Sequence, residues 1–259
     1  MLATQVISRL RQTFQVELPL SSLFEAPTVG GLAQRIETAR RASEDIRAQP
    51  ITRVSREAQL PLSFAQQRLW LLDQLEAGSH TYNVPRAVRI RGALNHDALQ
   101  KALDALVARH ESLRTTFVTV DGDPIQVIAE RGSVPMPLID LTDLPQAARE
   151  VEAQRLITIE AQRSFDLAQG PLLRASLVRL DAEEHLLLLN NHHIVSDGWS
   201  AGILFEELAL LYKAFSLGQP PSLAELPIQY ADYGIWQREW LQGEVLEQEL
   251  SYWKEQLDG

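Results

Sequence analysis

The chain has 259 residues, with 24 basic and 34 acidic side chains and a formal net charge of −10. An acidic chain is a poor partner for a phosphate backbone, which sets nucleic-acid binding aside. With no cysteine it has no disulfide, thiolate zinc site or thiol nucleophile. Hydrophobic residues make up 45%, enough for a sizeable core, and no apolar run approaches the roughly 18 residues of a membrane span. Met1-Leu2-Ala3-Thr4-Gln5 lacks the basic start and apolar core of a signal peptide. A cytoplasmic setting is expected.

Leu2, Val6, Leu10 and Phe14 recur every four residues, with Ile7 widening the stripe, which predicts a first amphipathic helix. Val16–Gly31, with Pro19, Pro27 and Gly30-Gly31, reads as a loop, and Leu32, Ile36 and Ala39 as a short second helix. Two such helices alone should not enclose a core. Residues 43–60 are polar and bounded by prolines 50 and 61, the pattern of an interdomain linker.

From residue 61 helix and strand patterns alternate. Ser63-Phe64-Ala65-Gln66 is a capping box, and the helix after it carries Leu69, Leu72 and Leu75. Val88 and Ile90 alternate with Arg89 and Arg91 as in a half-exposed strand. Leu99, Leu103, Leu106 and Val107 mark a helix. Thr115–Val120, Asp121-Gly122 and Ile125–Ile128 read as a hairpin. Val151–Ile159 is expected to be helical, and Leu173–Leu180 and His185–Asn191 to be strands. The second of these, with Leu186 to Leu189, is apolar on both faces and therefore central. Ser200–Phe215 is a helix with Leu204, Leu208 and Leu211 inward. Tyr230, Tyr233, Trp236 and Trp240 follow at helical spacing, then Leu246, Leu250, Trp253 and Leu257. The expected class is mixed α/β with antiparallel pairing. The Tyr230–Trp240 aromatics read as core packing rather than a ligand cage.

The most informative segment is Asn190-Asn191-His192-His193-Ile194-Val195-Ser196-Asp197-Gly198-Trp199-Ser200. A buried strand runs into two histidines, a polar turn and a capped helix, and a strand end offers a rigid scaffold beside an open loop. Histidine moves protons near neutral pH. Asp197 can fix the local geometry, and Gly198 permits backbone conformations other residues resist. Neighbours on a strand face opposite ways, so one histidine at most serves a given site. A metal held by His192, His193 and Asp197 is the weaker reading, because adjacent histidines do not readily converge on one ion. Arg109-His110-Glu111-Ser112-Leu113-Arg114 is a second dense polar run, at a helix-to-strand junction. Its arginines can grip a carboxylate, or Arg109 and His110 can simply complement a helix dipole.

Several segments together resemble the condensation domains of non-ribosomal peptide synthetases. Ser63–Leu72 resembles the family's first core motif, Arg109–Phe117 its second, His192–Gly198 its third and Tyr230–Trp236 its fourth. Phe165-Asp166-Leu167 with Gly170–Arg174 also fits. Leu2–Ala39, with Leu23–Val29, resembles the C-terminal part of a peptidyl carrier domain. The resemblance implies carrier remnant over 1–42, linker over 43–60 and condensation N-terminal lobe over 61–259. It implies a chloramphenicol-acetyltransferase-like lobe with a mixed, largely antiparallel sheet flanked by helices. The implied reaction joins an upstream acyl or peptidyl thioester to the α-amine of a downstream aminoacyl thioester, both presented by partner carrier domains on 4'-phosphopantetheine. The implied site is His193 with His192, Asp197 and Gly198, supported by Arg109 or Arg114 as the partner of Asp197. Gly198-Trp199 points to condensation rather than epimerisation, both histidines point away from the heterocyclising subtype, and Ser63–Leu72 with Thr81-Tyr82-Asn83 points to an L-type donor.

The carrier attachment serine is expected to precede this chain, Ser8 being inside a helix, and the second lobe and later motifs to follow it. The expectation is therefore a fragment with the functional histidine but little activity alone. It binds no cofactor or metal of its own, and its Leu2–Ala42 segment is loosely held. Competing readings are a free-standing acyltransferase using a CoA or other thioester donor, and a non-catalytic module that docks carrier domains.

Overall fold

The computed structural model describes residues 2–14, 16, 18–42 and 50–258, which fall into two compact units, Met1–Pro50 and Ile51–Gly259. In the smaller unit, α1 (Leu2–Phe14) and α3 (Val29–Ala42) are the two expected helices. The connection between them is more ordered than a loop: it contains α2 (Ser22–Glu25), and Gly30 and Gly31 belong to α3. The unit has a small core, but the two long helices do not make it alone. Ile7 and Ile36 are buried together with Val16 and Leu18 of the connection, and Leu10 and Leu23 pack against them. The connecting segment supplies the apolar surface that two helices lack.

Of the expected linker, residues 43–49 lie outside the described residues, and Ile51–Leu60 belongs to the larger unit. Its attachment is specific. The Val54 N–H donates to Asp232 Oδ1 (3.0 Å), and the Arg56 guanidinium bridges Asp232 (2.6 Å) and Glu111 (2.9 Å).

The larger unit has two sheets. β1 (Leu60–Pro61), β4 (Asp123–Ile128) and β3 (Thr115–Val120) form a small antiparallel sheet in the order β1-β4-β3. The β3–β4 hairpin turns on Asp121 and Gly122, with φ of 52° and 93°, the left-handed pair a type I′ turn requires. The main sheet has the order β2-β7-β6-β5: β2 (Asn83–Arg91), β7 (Glu184–His192), β6 (Leu173–Asp181) and β5 (Leu138–Asp140). All its pairings are antiparallel except β5 with β6.

β7 is central, as its unbroken apolar run requires. Leu187 and Leu189 face α5 (His96–Arg109) and α7 (Gly198–Ser216), joining Leu103, Leu106, Leu204, Leu208 and Leu211 in one cluster. Leu186 and Leu188 face the opposite side and pack beneath α6 (Gln146–Gln162) with Ala153. Each buried leucine contributes roughly 1.5–3 kcal/mol, so β7 is fixed from both faces. A third cluster (Leu62, Leu69, Phe117, Phe165, Leu172, Ile194, Val195) sits under the strand's C-terminal end.

Three further helices complete the unit: α4 (Phe64–Leu75), α8 (Tyr230–Trp240) and α9 (Gly243–Leu257). The α4 capping box forms as expected: Ser63 Oγ accepts from the Gln66 N–H and Gln66 Oε1 from the Ser63 N–H. The α8 aromatics depart from expectation. They make a continuous ladder, with Trp236 and Trp240 stacked at 5.3 Å, but none of them is buried. The residues α8 buries are Ala231, Asp232 and Gly234. Helical spacing places the rings on one face, and the small residues on the other side allow close approach: a Cβ on Gly234 would lie 3.4 Å from the Pro61 carbonyl oxygen.

Candidate active site

β7 ends at His192, a 3₁₀ turn covers His193–Val195, and α7 begins at Gly198. Asp197 caps that helix: Oδ1 accepts from the Ser200 N–H (2.7 Å) and the Ser200 hydroxyl (2.6 Å). Burial alone would raise the Asp197 carboxyl. The bonds from Ser200 and the Trp199 N–H, with attraction to His193, outweigh it and hold the group below its ordinary value. Asp197 stays ionised, as a helix N-terminus favours.

The two histidines have opposite environments. His192 is 3% exposed, with its ring against Tyr82 and Phe165. Its Nδ1 accepts the Ile194 N–H (3.1 Å), which assigns the proton to Nε2. Burial, helped by the neighbouring His193, pushes its pKa down to about 4, so it is neutral at pH 7. His193 is exposed and lines a cavity of about 230 Å³. Its backbone is anchored by donation to the Tyr82 carbonyl (2.8 Å). Among the described residues no hydrogen bond engages its imidazole, which stays available to a ligand. His192 does not line the cavity; it holds the turn that presents His193. No cluster of three acidic or histidine side chains placed to hold a metal occurs among the described residues.

The rest of the cavity comes from distant segments. Gln66 and Arg68 of α4, Ser112, Asp197, Ser200 and Tyr230 contribute to its wall. Tyr230 and Ser63 share a hydrogen bond of 3.0 Å. Although Tyr230 as a whole is 40% exposed, desolvation at its phenol end, then repulsion by Tyr233 and Asp197, pushes the phenol up despite that bond, so it is neutral at pH 7. Gln229 joins two motif segments: its side chain accepts from the Glu111 N–H (3.1 Å) and donates to the Arg109 carbonyl (3.0 Å).

Three expectations for the site change. Neither Arg109 nor Arg114 forms an ion pair with Asp197. Arg109 and His110 both grip Glu207 of α7, at 3.1 and 2.6 Å, and so clamp α5 to α7 rather than serving the helix dipole alone. Arg114 bonds the Ala129 carbonyl and lies 3.9 Å from Glu111. Asp197 has its needs met locally, by the N-terminus of α7. Gly198, finally, does not use a left-handed backbone; it is the first residue of the helix, and no atom lies within 4 Å of where its Cβ would be. Gly198 is not part of the cavity wall, and nothing in the packing there demands a glycine. Tyr82, Gln229, Arg56 and the cavity role of Tyr230 are not apparent from spacing, because their partners lie far away in sequence.

Residues 56–259, which contain this buried strand, turn and helix cap, match one family model, that of the condensation domain. This chain belongs to the condensation-domain family. Residues 1–36 match a second model, the phosphopantetheine attachment site. The condensation domain and its flank are 51% identical over 257 residues to a linear gramicidin synthase polypeptide of Brevibacillus parabrevis, covering 99% of this chain and 3% of the relative. Malpinin synthetase of Mortierella alpina is 43% identical over 259 residues, covering 100% and 3%. Among solved structures, the X-domain from teicoplanin biosynthesis superposes with a TM-score of 0.72 at 29% identity, over 80% of this chain and 45% of that one. The starter condensation domain of rhizomide synthetase shares the fold, with a TM-score of 0.71 at 24% identity, over 78% and 50%. The chain thus spans 3% of the length of each of these two curated relatives and about half of these structures. No described helix is long and apolar enough to cross a membrane.

Proposed function

We propose that the larger unit is the His193-bearing lobe of an amide-bond-forming centre in a non-ribosomal peptide synthetase. An aminoacyl thioester's α-amine attacks the thioester carbonyl of an upstream acyl or peptidyl group. A C–N bond forms, the C–S bond breaks, and the departing thiolate takes up the proton the amine loses. His193 accepts a hydrogen bond from the amine and directs its lone pair at the carbonyl. Because a neutral amine already attacks a thioester, positioning contributes at least as much as proton removal. His192 and Asp197 hold the turn that presents His193. The observation that carries this reading is the split between the histidines: one locked and neutral in the core, the other unengaged at the cavity.

The substrates are delivered by upstream and downstream carrier domains, and residues 1–42 are the C-terminal part of such a carrier. No serine among them is assigned as the phosphopantetheine attachment point: Ser8 lies inside α1, Ser21 is the residue before the short α2, and Ser22 is 1% exposed. The setting is cytoplasmic. A second lobe completes the centre, and the 259-residue chain alone has little condensation activity. In the full synthetase encompassing this chain, His193→Ala is expected to lower peptide formation by roughly 10²–10⁴-fold. Formation within tenfold of the unaltered enzyme would instead favour a docking module, a reading supported by the 32%-identical teicoplanin X-domain described in complex with OxyB.

A further inference from the structure

Behind the His193 cavity lies a second one of about 130 Å³. Ser112, Val195, Ser196 and Ser200 form part of the wall of both, so the two spaces adjoin. Past that shared wall the second cavity is mainly apolar: Leu106, Leu113 and Leu204 are buried around it, and Ile203 is 42% exposed. His110 is its most polar remaining element, and Glu207 already occupies the His110 Nε2. Ser196 is 9% exposed, and its hydroxyl is buried without a hydrogen-bond partner. An unpaired buried hydroxyl is costly, so a polar atom entering at Ser196 gains a bond that the unliganded protein lacks.

Size and chemistry limit the occupant. An apolar cavity of about 150 Å³ holds a benzene ring, so this one holds a branched three- or four-carbon group. His193 and the shared serines line the same cavity, so a substrate held at His193 lies beside the wall that leads to the second one.

We propose that this cavity is a side-chain subsite, taking the aliphatic side chain of a thioester-bound amino acid of valine, threonine or leucine size, with Ser196 at its entrance. The proposal rests on the reading of His193 as the condensation centre. Ile203, on the exposed face of α7, and Leu113, behind it, set the size limit. Substitution at Ile203 is therefore compatible with folding.

The test uses the full synthetase, with carriers loaded with glycine or leucine at the donor position and, separately, at the acceptor position. Misfit of about one methylene in an apolar pocket shifts selectivity by about tenfold or more. Ile203→Phe is expected to lower the leucine-to-glycine product ratio at least tenfold at one of the two positions, and that position identifies which substrate uses the subsite. Leu210→Phe, exposed on the same helix and away from the cavity, is expected to leave the ratio unchanged. An unaltered ratio in Ile203→Phe at both positions would overturn the subsite, as would an unaltered enzyme that joins glycine but leucine at neither position. Failure of the condensation reading is separate: it appears as undiminished glycine product in His193→Ala.

Discussion

α7 and α9 are helices of 19 and 15 residues, each with leucines at helical spacing, yet they end in opposite environments. α7 buries Leu204, Leu208 and Leu211 against the main sheet. α9 buries nothing, and Leu246, Leu250, Trp253 and Leu257 remain 37–77% exposed. Periodicity shows that a helix has an apolar face. What lies opposite decides whether that face contributes to stability.

The contrast sets the order of expected effects. Leu208→Ala removes a side chain from the centre of the largest cluster, and chemical denaturation should show a loss of about 2–5 kcal/mol. At the active-site end of α7 the signature is pH dependence. His192 titrates near 4 in the fold against about 6.5 unfolded, so the unfolded state binds the proton first. Its contribution is complete above pH 6.5, declines as pH falls from 6.5 to 4, and totals about 3 kcal/mol. A denaturation series over that window should show the decline, and His192→Asn should flatten it. Asp197→Ala removes the α7 cap and should cost about 1 kcal/mol. Since the depressed Asp197 carboxyl stabilises the fold only while ionised, that difference should persist at neutral pH and vanish as pH falls through its folded pKa. Leu250→Ala in α9 should fall within about 0.5 kcal/mol of no change. A loss above 2 kcal/mol there would mean α9 is covered in the folded chain, and the contrast would break.

Much of the scaffold was legible in the sequence because its signals are local. The Ser63–Gln66 box, the Asp121-Gly122 turn and the four-leucine run of β7 each specify geometry within a few residues. The condensation-domain fold and the position of His193 at a central strand end followed from those signals and the ordered motifs. The ion pairs were not legible, because Arg109 finds Glu207 across 98 residues and a charge pattern does not name its partner. The α8 aromatics misled for a related reason: spacing groups them on one face without showing which face meets the protein. The resemblance singled out His193, but the contrast between the two rings was not legible, because it lies in the backbone, where the Ile194 N–H claims His192.

Arg56 has a consequence for recombining assembly-line parts. Its guanidinium is tied to Glu111, 55 residues on, and to Asp232, 176 residues on, and Asp232 is 0% exposed. Removing one partner of a buried ion pair costs about 3–5 kcal/mol. A splice between residues 60 and 61 that brings in a foreign upstream segment separates the arginine from both carboxylates and leaves Asp232 uncompensated. A splice between residues 50 and 51 carries the whole knot across intact. The natural joint for exchanging this condensation domain therefore lies at 50/51, ten residues earlier than a boundary at 60/61.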